Sequence, residues 1–262
     1  MRVDRLNEME AYILAHGTAS LQELSNEFNI SLNSVRRDIS SLLTHGNIKK
    51  VYGGVASTMQ KQLLPYDLRE KYNPSGKKVI GQLASEFVPD NSYVFVDSGT
   101  TAVNVIPFLA QKENVIIITC SDIVIREAQK YPNLELISLG GRYNPITCSY
   151  NGFLTTDSVR MLKIPVALMA ASGVSVKHGL SNSTEPEAEI KKVISENSEK
   201  IILLADNTKF SRDAVFSFCN FDRLSAIVTD LPLNSEYDEV IQKYGIIVST
   251  PDNPYTSQDS FD

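Results

Sequence analysis

Apolar residues recur along this chain with two different periods, and the change between them divides it. In Leu6, Met9 and Ile13, in Leu21, Leu24 and Phe28, and in Val35, Ile39 and Leu42 they follow the spacing of a helical stripe. Three short helices are predicted, the first over residues 2–15 and ended by His16-Gly17. Asn29 and Ile30 form the turn between the second and third, and Ser31 offers a hydroxyl to cap the third. Gly46 breaks the helical period, and Asn47 to Tyr52 before Gly53-Gly54 reads as a short β-hairpin, or wing. From Lys77 the runs become β-branched and continuous: Tyr93 to Val96, Val115 to Thr119, Leu134 to Leu139, Val166 to Ala170, Ile201 to Ala205, Ala226 to Thr229 and Ile246 to Ser249. They alternate with helical stretches, the pattern of βαβ units and of a mainly parallel sheet covered on both faces.

The fold class is therefore α/β, with a small winged helix-turn-helix domain over residues 1–56 and a larger, doubly wound, mainly parallel domain over 77–250. Residues 57–76, with Pro65 and Pro74 and no clear period, read as the linker, and 251–262 as a polar, acidic, disordered tail. Leu63-Leu64-Pro65-Tyr66 is too apolar for a free tether and is expected to dock on the larger domain. Lys77 and Lys78 open the first helix of that domain and are candidates for carrying ligand state toward the head.

Opposite the apolar stripe of the third helix lie Asn33, Arg37, Ser40 and Thr44, with Arg36 on the flank. That face is rich in donors, which suits a helix entering a DNA major groove. Ser31, Asn33, Ser34, Arg36, Arg37 and Ser40 are the candidate DNA contacts of this helix, with Lys49 and Lys50 on the wing reaching phosphates. The net charge of −6 over 262 residues at first argues against a nucleic-acid partner. Distribution reverses that. Between Ser31 and Val55 four basic residues, Arg36, Arg37, Lys49 and Lys50, stand against the single acid Asp38, so a basic corner sits on an acidic chain.

Cys120, Cys148 and Cys219 have no paired spacing and His16, His45 and His178 no ligand spacing, so no disulfide framework, metal or cofactor is expected. No apolar run is long enough to span a bilayer, and the N-terminus is not signal-like, so a cytoplasmic protein is expected.

The string Ile30-Ser31-x-x-Ser34-Val35-Arg36-Arg37-Asp38-Ile39, followed by Gly46-Asn47-Ile48 and Gly53-Gly54, resembles the signature of the DeoR family, V-S-x-x-T-[IV]-R-R-D-L with a Gly-Gly hairpin. Ser34 for Thr, and Tyr52 where the family usually has His, are departures. The resemblance runs through the body to about Val248 and implies a sensor domain like the ribose-5-phosphate isomerase and CoA-transferase folds, with a phosphorylated sugar or related metabolite as effector.

In such a sheet ligands sit beyond the carboxyl ends of strands. The loop Asp97-Ser98-Gly99-Thr100-Thr101 follows a strand and opens a predicted helix, Ala102 to Gln111, so backbone amides and hydroxyls converge where a phosphate would fit. It resembles the family's D-x-G-T-T loop. After the next strand comes Thr119-Cys120-Ser121, with Cys120 where the family usually shows Asn. Gly140-Gly141-Arg142 follows the strand after that, and Arg142 is a candidate phosphate partner. Glu187 to Lys191 resembles the family's E-A-x-[VI]-K helix, and Asp206 to Phe210 its D-x-[ST]-K-F loop. Asp206 and Lys209, three apart on a post-strand loop, suit sugar hydroxyls and phosphate respectively. The candidate effector residues are thus Asp97, Ser98, Gly99, Thr100, Thr101, Ser121, Arg142, Glu187, Asp206 and Lys209.

The reading is a DNA-binding transcriptional regulator, a repressor of a carbohydrate operon, acting on double-stranded operator DNA as a homo-oligomer and tuned by that effector. The rival is a sugar-phosphate isomerase or transferase fused to a DNA-binding module, with Asp97, Glu187 or Asp206 as base. A fold analogy does not separate the two, because function lives in the site.

Overall fold

The computed structural model describes residues 2–58 and 64–256. The chain divides into two compact units, Met1–Pro74 and Ser75–Asp262.

In the first unit α1 (Arg2–His16) leads through β1 (Thr18–Ser20) to α2 (Leu21–Glu27) and α3 (Leu32–Leu42), then to the hairpin β2 (Ile48–Val51) and β3 (Gly54–Ser57). The three strands form an antiparallel sheet in the order β1-β3-β2. Met9 and Ile13 of α1, Leu24 of α2, Val35, Ile39 and Leu42 of α3, and Ile48 and Val55 of the wing close one core. The helical stripes therefore pack as their spacing predicts. Strand β1 was not legible, being three residues between two helices. The paired glycines of the wing have separate reasons. Gly53 holds φ +80°, open to few other residues, and a Cβ on Gly54 would stand 2.2 Å from the carbonyl oxygen of Ala19 on β1.

The expected linker is more structured than its sequence suggests. Ser57 belongs to β3, and α4 (Tyr66–Glu70) follows, with Leu64 and Leu68 packed on the core of the first unit and Tyr72 within 6.2 Å of Tyr12. The apolar segment thus docks on the head, through Leu64 and Leu68 against its core, where the larger domain was expected; Leu63 lies outside the described residues.

The second unit opens with α5 (Pro74–Ser85), which begins at the boundary, and β4 (Tyr93–Val96). There follow α6 (Ile106–Leu109), β5 (Ile116–Thr119), α7 (Asp122–Ala128), β6 (Glu135–Ser138), the hairpin β7 (Arg142–Asn144) and β8 (Ser149–Asn151), and α8 (Phe153–Arg160). Next come β9 (Ile164–Ala170), β10 (Gly173–Ser175), β11 (Gly179–Asn182), α9 (Glu185–Asn197), β12 (Ser198–Leu204), β13 (Phe216–Cys219), β14 (Ala226–Val228), α10 (Asp238–Tyr244) and β15 (Ile247–Ser249). All the β-branched runs read from the sequence join one seven-stranded parallel sheet, in the order β15-β14-β12-β9-β4-β5-β6. Alternate residues serve opposite faces. Phe95, Met169 and Leu203 pack with Ile190 and Ile194 of α9 and Val159 of α8. Val94, Val96, Leu168 and Ile202 pack with Ile80 of α5, Ile106 of α6 and Val124 of α7. Beside it lies a smaller antiparallel sheet, β10-β11-β13.

Two expectations for this unit need correction. The helix expected over 102–111 is a 3-10 turn, Ala102–Val105, followed by the four residues of α6. Pro107 has no N–H to continue an α-helical ladder back to Val103, and Asn104 instead donates its side-chain amide to the carbonyls of Thr100 and Thr101 at 2.8 and 3.2 Å. The tail is ordered through residue 256: Tyr255 is buried, stacks on Phe87 with ring centroids 4.2 Å apart, and donates its N–H to Ser249 Oγ. Residues 257–262 lie outside those described.

Candidate DNA-reading face and effector site

Helix α3 is capped at its start and tied to α1 at its middle. Ser31 Oγ accepts the N–H of Ser34 at 3.3 Å, capping α3, and the Ser34 hydroxyl turns back to Ser31. Asp38, 1% exposed, accepts from Arg5 Nε at 2.9 Å and Nη2 at 2.8 Å, tying α3 to α1. Glu10 of α1 accepts from Asn47 and pairs with His45, holding the start of the wing. With Asp38 turned inward and neutralised by Arg5, the one acid of the basic corner leaves the outer face. Asn33, Arg36, Arg37 and Ser40 are exposed there, as are Ser31, Lys49 and Lys50; Ser34 is half-buried. Arg36 donates to Asn33 Oδ1 at 3.3 Å, and Ser40 to the carbonyl of Arg36 at 2.8 Å.

In the body the carboxyl ends of β4, β5, β9 and β12 share one edge of the sheet. Asp97 Oδ2, just past β4, accepts the N–H of Ala170 at 2.8 Å and Lys191 Nζ at 2.7 Å. Lys191 also donates to the Ala170 carbonyl at 2.6 Å and lies 5.4 Å from the centre of the Phe218 ring. Both charged groups are buried. Asp97 is therefore spent on joining β4, β9 and α9. Gly99 approaches the same strand end, where a Cβ would fall 2.4 Å from that of Ala170. Ser98, Thr100 and Thr101 are buried around it.

Cys120, past β5, is close enough to feel these charges. Burial pushes its thiol up to about 12, the charge of Asp97 adds to the rise, and Lys191 partly offsets it. The thiol stays protonated at physiological pH and is a poor nucleophile. Glu187, buried in the first turn of α9, accepts the hydroxyl of Thr184 at 2.8 Å and also acts on Cys120. Ser121 is used structurally, its hydroxyl accepting from Val124 N at 3.2 Å to cap α7.

Asp206 Oδ2 and Asn182 Nδ2 are buried at this edge without a hydrogen-bond partner among the described residues, as is Asp122 Oδ2, which forms an ion pair with Arg126 at 3.0 Å. Asp206, fully buried, uses its other oxygen to accept from the N–H and hydroxyl of Thr208. Asn182, 4% exposed, uses its carbonyl oxygen to accept from Ser172 Oγ at 2.9 Å. Leu204 pairs with Ala170 at the end of the β9–β12 ladder, and Asp206 and Ser172, to which Asn182 is bonded, each follow two residues beyond that end. Leaving such an atom unpaired costs about 1–3 kcal/mol. An acceptor and a donor held this way suit a hydroxyl, which can donate to one and accept from the other.

The edge thus gathers Asp97 to Thr101, Cys120, Ser121, Glu187 and Asp206. Lys209 ends the turn that Asp206 caps and is half-buried. Arg142 is exposed on the β7–β8 hairpin, whose second strand bonds to Cys120 just past β5 through the N–H of Tyr150 at 2.8 Å. Reading by sequence missed Lys191 and Asn182. Lys191 had a signal, as the last residue of the E-A-x-I-K match and one helical turn past Glu187; Asn182 had none. Among the described residues, no group of His, Cys, Asp or Glu is placed to hold a metal ion, and no helix is long and apolar enough to cross a membrane.

A family model for the DeoR-like helix-turn-helix domain matches residues 5–61, and one for the DeoR C terminal sensor domain matches 72–231. The HTH-type transcriptional regulator IolR of Bacillus subtilis (strain 168) is 42% identical over 246 residues, covering 94% of this chain and 98% of the relative. The glycerol-3-phosphate regulon repressor of Escherichia coli (strain K12) is 26% identical over 231 residues, covering 88% and 92%. Among solved structures, ribose 5 phosphate isomerase A from Neisseria gonorrhoeae superposes with a TM-score of 0.38 at 20% identity, covering 51% of this chain and 52% of that one.

Proposed function

We propose, for a chain that belongs to the DeoR family of helix-turn-helix transcriptional regulators, that it represses a carbohydrate-metabolism operon and lets go of its operator when the body binds a phosphorylated sugar. It is a regulator rather than an enzyme, as its relatives are named for regulation and repression. It acts in the cytoplasm and as a homo-oligomer. Asn33, Arg36, Arg37 and Ser40 read base edges or phosphates from the major groove, Ser31 and Ser34 set the start of the helix, and Lys49 and Lys50 meet phosphates from the wing.

The observation that carries the effector half is the pair of orphaned atoms on Asp206 and Asn182. They take a hydroxyl of the sugar, while the loop Ser98 to Thr101 and Lys209 hold the phosphate. Asp97 and Lys191 form the floor, and Cys120 lines the site as a neutral, apolar wall. Glu187 stands at the α9 end. A relative named for a glycerol-3-phosphate regulon supports a phosphorylated polyol as the class.

Thermal unfolding tests this. A panel of sugar and polyol phosphates is compared with the same compounds lacking phosphate. At 100 times its dissociation constant a ligand specific for the folded state adds roughly 2.7 kcal/mol. One phosphorylated member is expected to raise the melting temperature and to weaken an operator gel shift, its dephosphorylated partner to do neither. Equal shifts from both would remove phosphate from the account, and stabilisation without any effect on operator binding would remove the coupling.

A further inference from the structure

Helix α8 leaves three large apolar side chains in water: Phe153 is 74% exposed, Leu154 67%, and Met161, which ends the helix, 83%. At about 100° per residue, Phe153, Leu154, Asp157, Arg160 and Met161 share one arc centred on Asp157. Thr155, Thr156 and Val159 occupy the opposite arc, which is buried as α8 packs on α9. The helix is thus anchored without its outer face. The β7–β8 hairpin, whose strand β8 contacts α8, also leaves Tyr143 and Ile146 exposed. Soluble chains seldom leave such a patch to water unless something covers it.

We propose that this face of α8 is covered by the same face of a second copy, the two helices running antiparallel about a two-fold axis. The charges specify the occupant. Among the described residues neither Asp157 nor Arg160 has an ion-pair partner within the chain, and they lie one turn apart at the middle of the face. An isologous contact must be complementary to itself. An antiparallel pair meets that condition here, setting Asp157 of each copy against Arg160 of the other, and Phe153 and Leu154 of each against Met161 of the other. An acid and a base on one face, paired across the axis, satisfy that self-complementarity. The pairing also supplies two recognition helices for the two half-sites that helix-turn-helix dimers read.

This inference rests on the homo-oligomeric reading above, and the experiment separates their failures. The mass of the full chain is measured by sedimentation equilibrium across the micromolar range, with circular dichroism confirming the fold of each variant. Wild type is expected to have the mass of two or more chains. Asp157→Arg, which sets like charges face to face, and Met161→Lys are each expected to weaken that association at least about tenfold, equal to ~1.4 kcal/mol. The double variant Asp157→Arg with Arg160→Asp is expected to recover it, because the swapped pairs are again opposite. A wild type that stays monomeric overturns the oligomeric reading together with this interface. An oligomeric wild type that neither single variant weakens overturns the interface alone. Loss in the single variants without recovery in the double overturns the two-fold pairing.

Discussion

The recognition helix and the strand-end site of the body both present polar side chains, but the first presents them to water and the second hides them. On α3 the groups offered outward, Asn33, Arg36, Arg37 and Ser40, are exposed, and the charge that matters to stability, Asp38, is turned in and paired with Arg5. At the body's edge the charges are themselves the interior. Asp97 and Lys191 are buried against each other, Cys120 is buried beside them, and Asp206 and Asn182 hold unspent atoms in the same region. The difference suits the two partners. A DNA duplex is too large to be enclosed and is met by a protruding, solvated face. A small ligand is discriminated by groups already stripped of water, which lose hydrogen bonds if the wrong compound binds.

This contrast predicts that changes in the body cost stability and changes on the head's outer face cost only DNA affinity. The largest effect is expected from Lys191→Met. It leaves the Asp97 carboxylate buried without its cation, a loss on the order of 3–5 kcal/mol, read as a lower urea midpoint. A midpoint within experimental scatter of wild type would mean the pair does not hold β4, β9 and α9 together. Next is Asp38→Ala, which removes a charge-assisted tie from α3 to α1 and is expected to lower head stability by about 2 kcal/mol, followed by the melting of an isolated fragment 1–74. Such a fragment melting like wild type would make the Arg5–Asp38 pair ornamental.

How much of this was legible in the sequence follows the same division. The head's face is local: Ser31, Asn33, Arg36, Arg37 and Ser40 lie within three turns of one helix, so a single stripe and its opposite face locate them all. The seven strands of the body's parallel sheet were legible too, since a strand buried on both faces advertises itself as a continuous apolar run. The hairpin β7–β8 and the sheet β10-β11-β13 were not, being short strands with mixed polarity. The site itself joins residues as distant as Asp97 and Lys191, and no periodicity pairs them. Asp97 also joins β4, β9 and α9, a role that no local signal marks, and Asn182 carries no signal because its role depends on Ser172. Pro107 interrupts the helical ladder, so α6 is shorter than the stretch Ala102 to Gln111 predicts.

Smaller effects sharpen the contrast. Arg37→Ala is expected to weaken operator binding by about 1–3 kcal/mol at fixed salt while moving the melting temperature hardly at all, as an exposed substitution should. A variant that melts early would place Arg37 in the fold rather than on the reading face. For the body, Cys120 predicts a dependence on alkaline pH. Its thiol titrates at about 12 when folded against 9.0 for the free group. Above pH 9 the unfolded chain therefore binds fewer protons than the folded one, and stability falls as pH rises toward 12. Between pH 8 and pH 10 wild type is expected to lose about 1 kcal/mol more than Cys120→Ala. Parallel pH profiles for the two proteins would show that burial does not hold the proton on.

The account's central claim is that the body's ligand acts on the head's grip, and one titration tests it most directly. An operator obtained by binding-site selection is labelled, and its release from wild type and from Lys209→Ala is followed by fluorescence anisotropy as the stabilising sugar phosphate is added. A ligand shifts an equilibrium only through its differential affinity for the two states. The expected result is equal operator affinity for both proteins without ligand, and release from wild type alone. A Lys209→Ala protein that releases operator at the wild-type ligand concentration, or one that has lost the operator before any ligand is added, would contradict it.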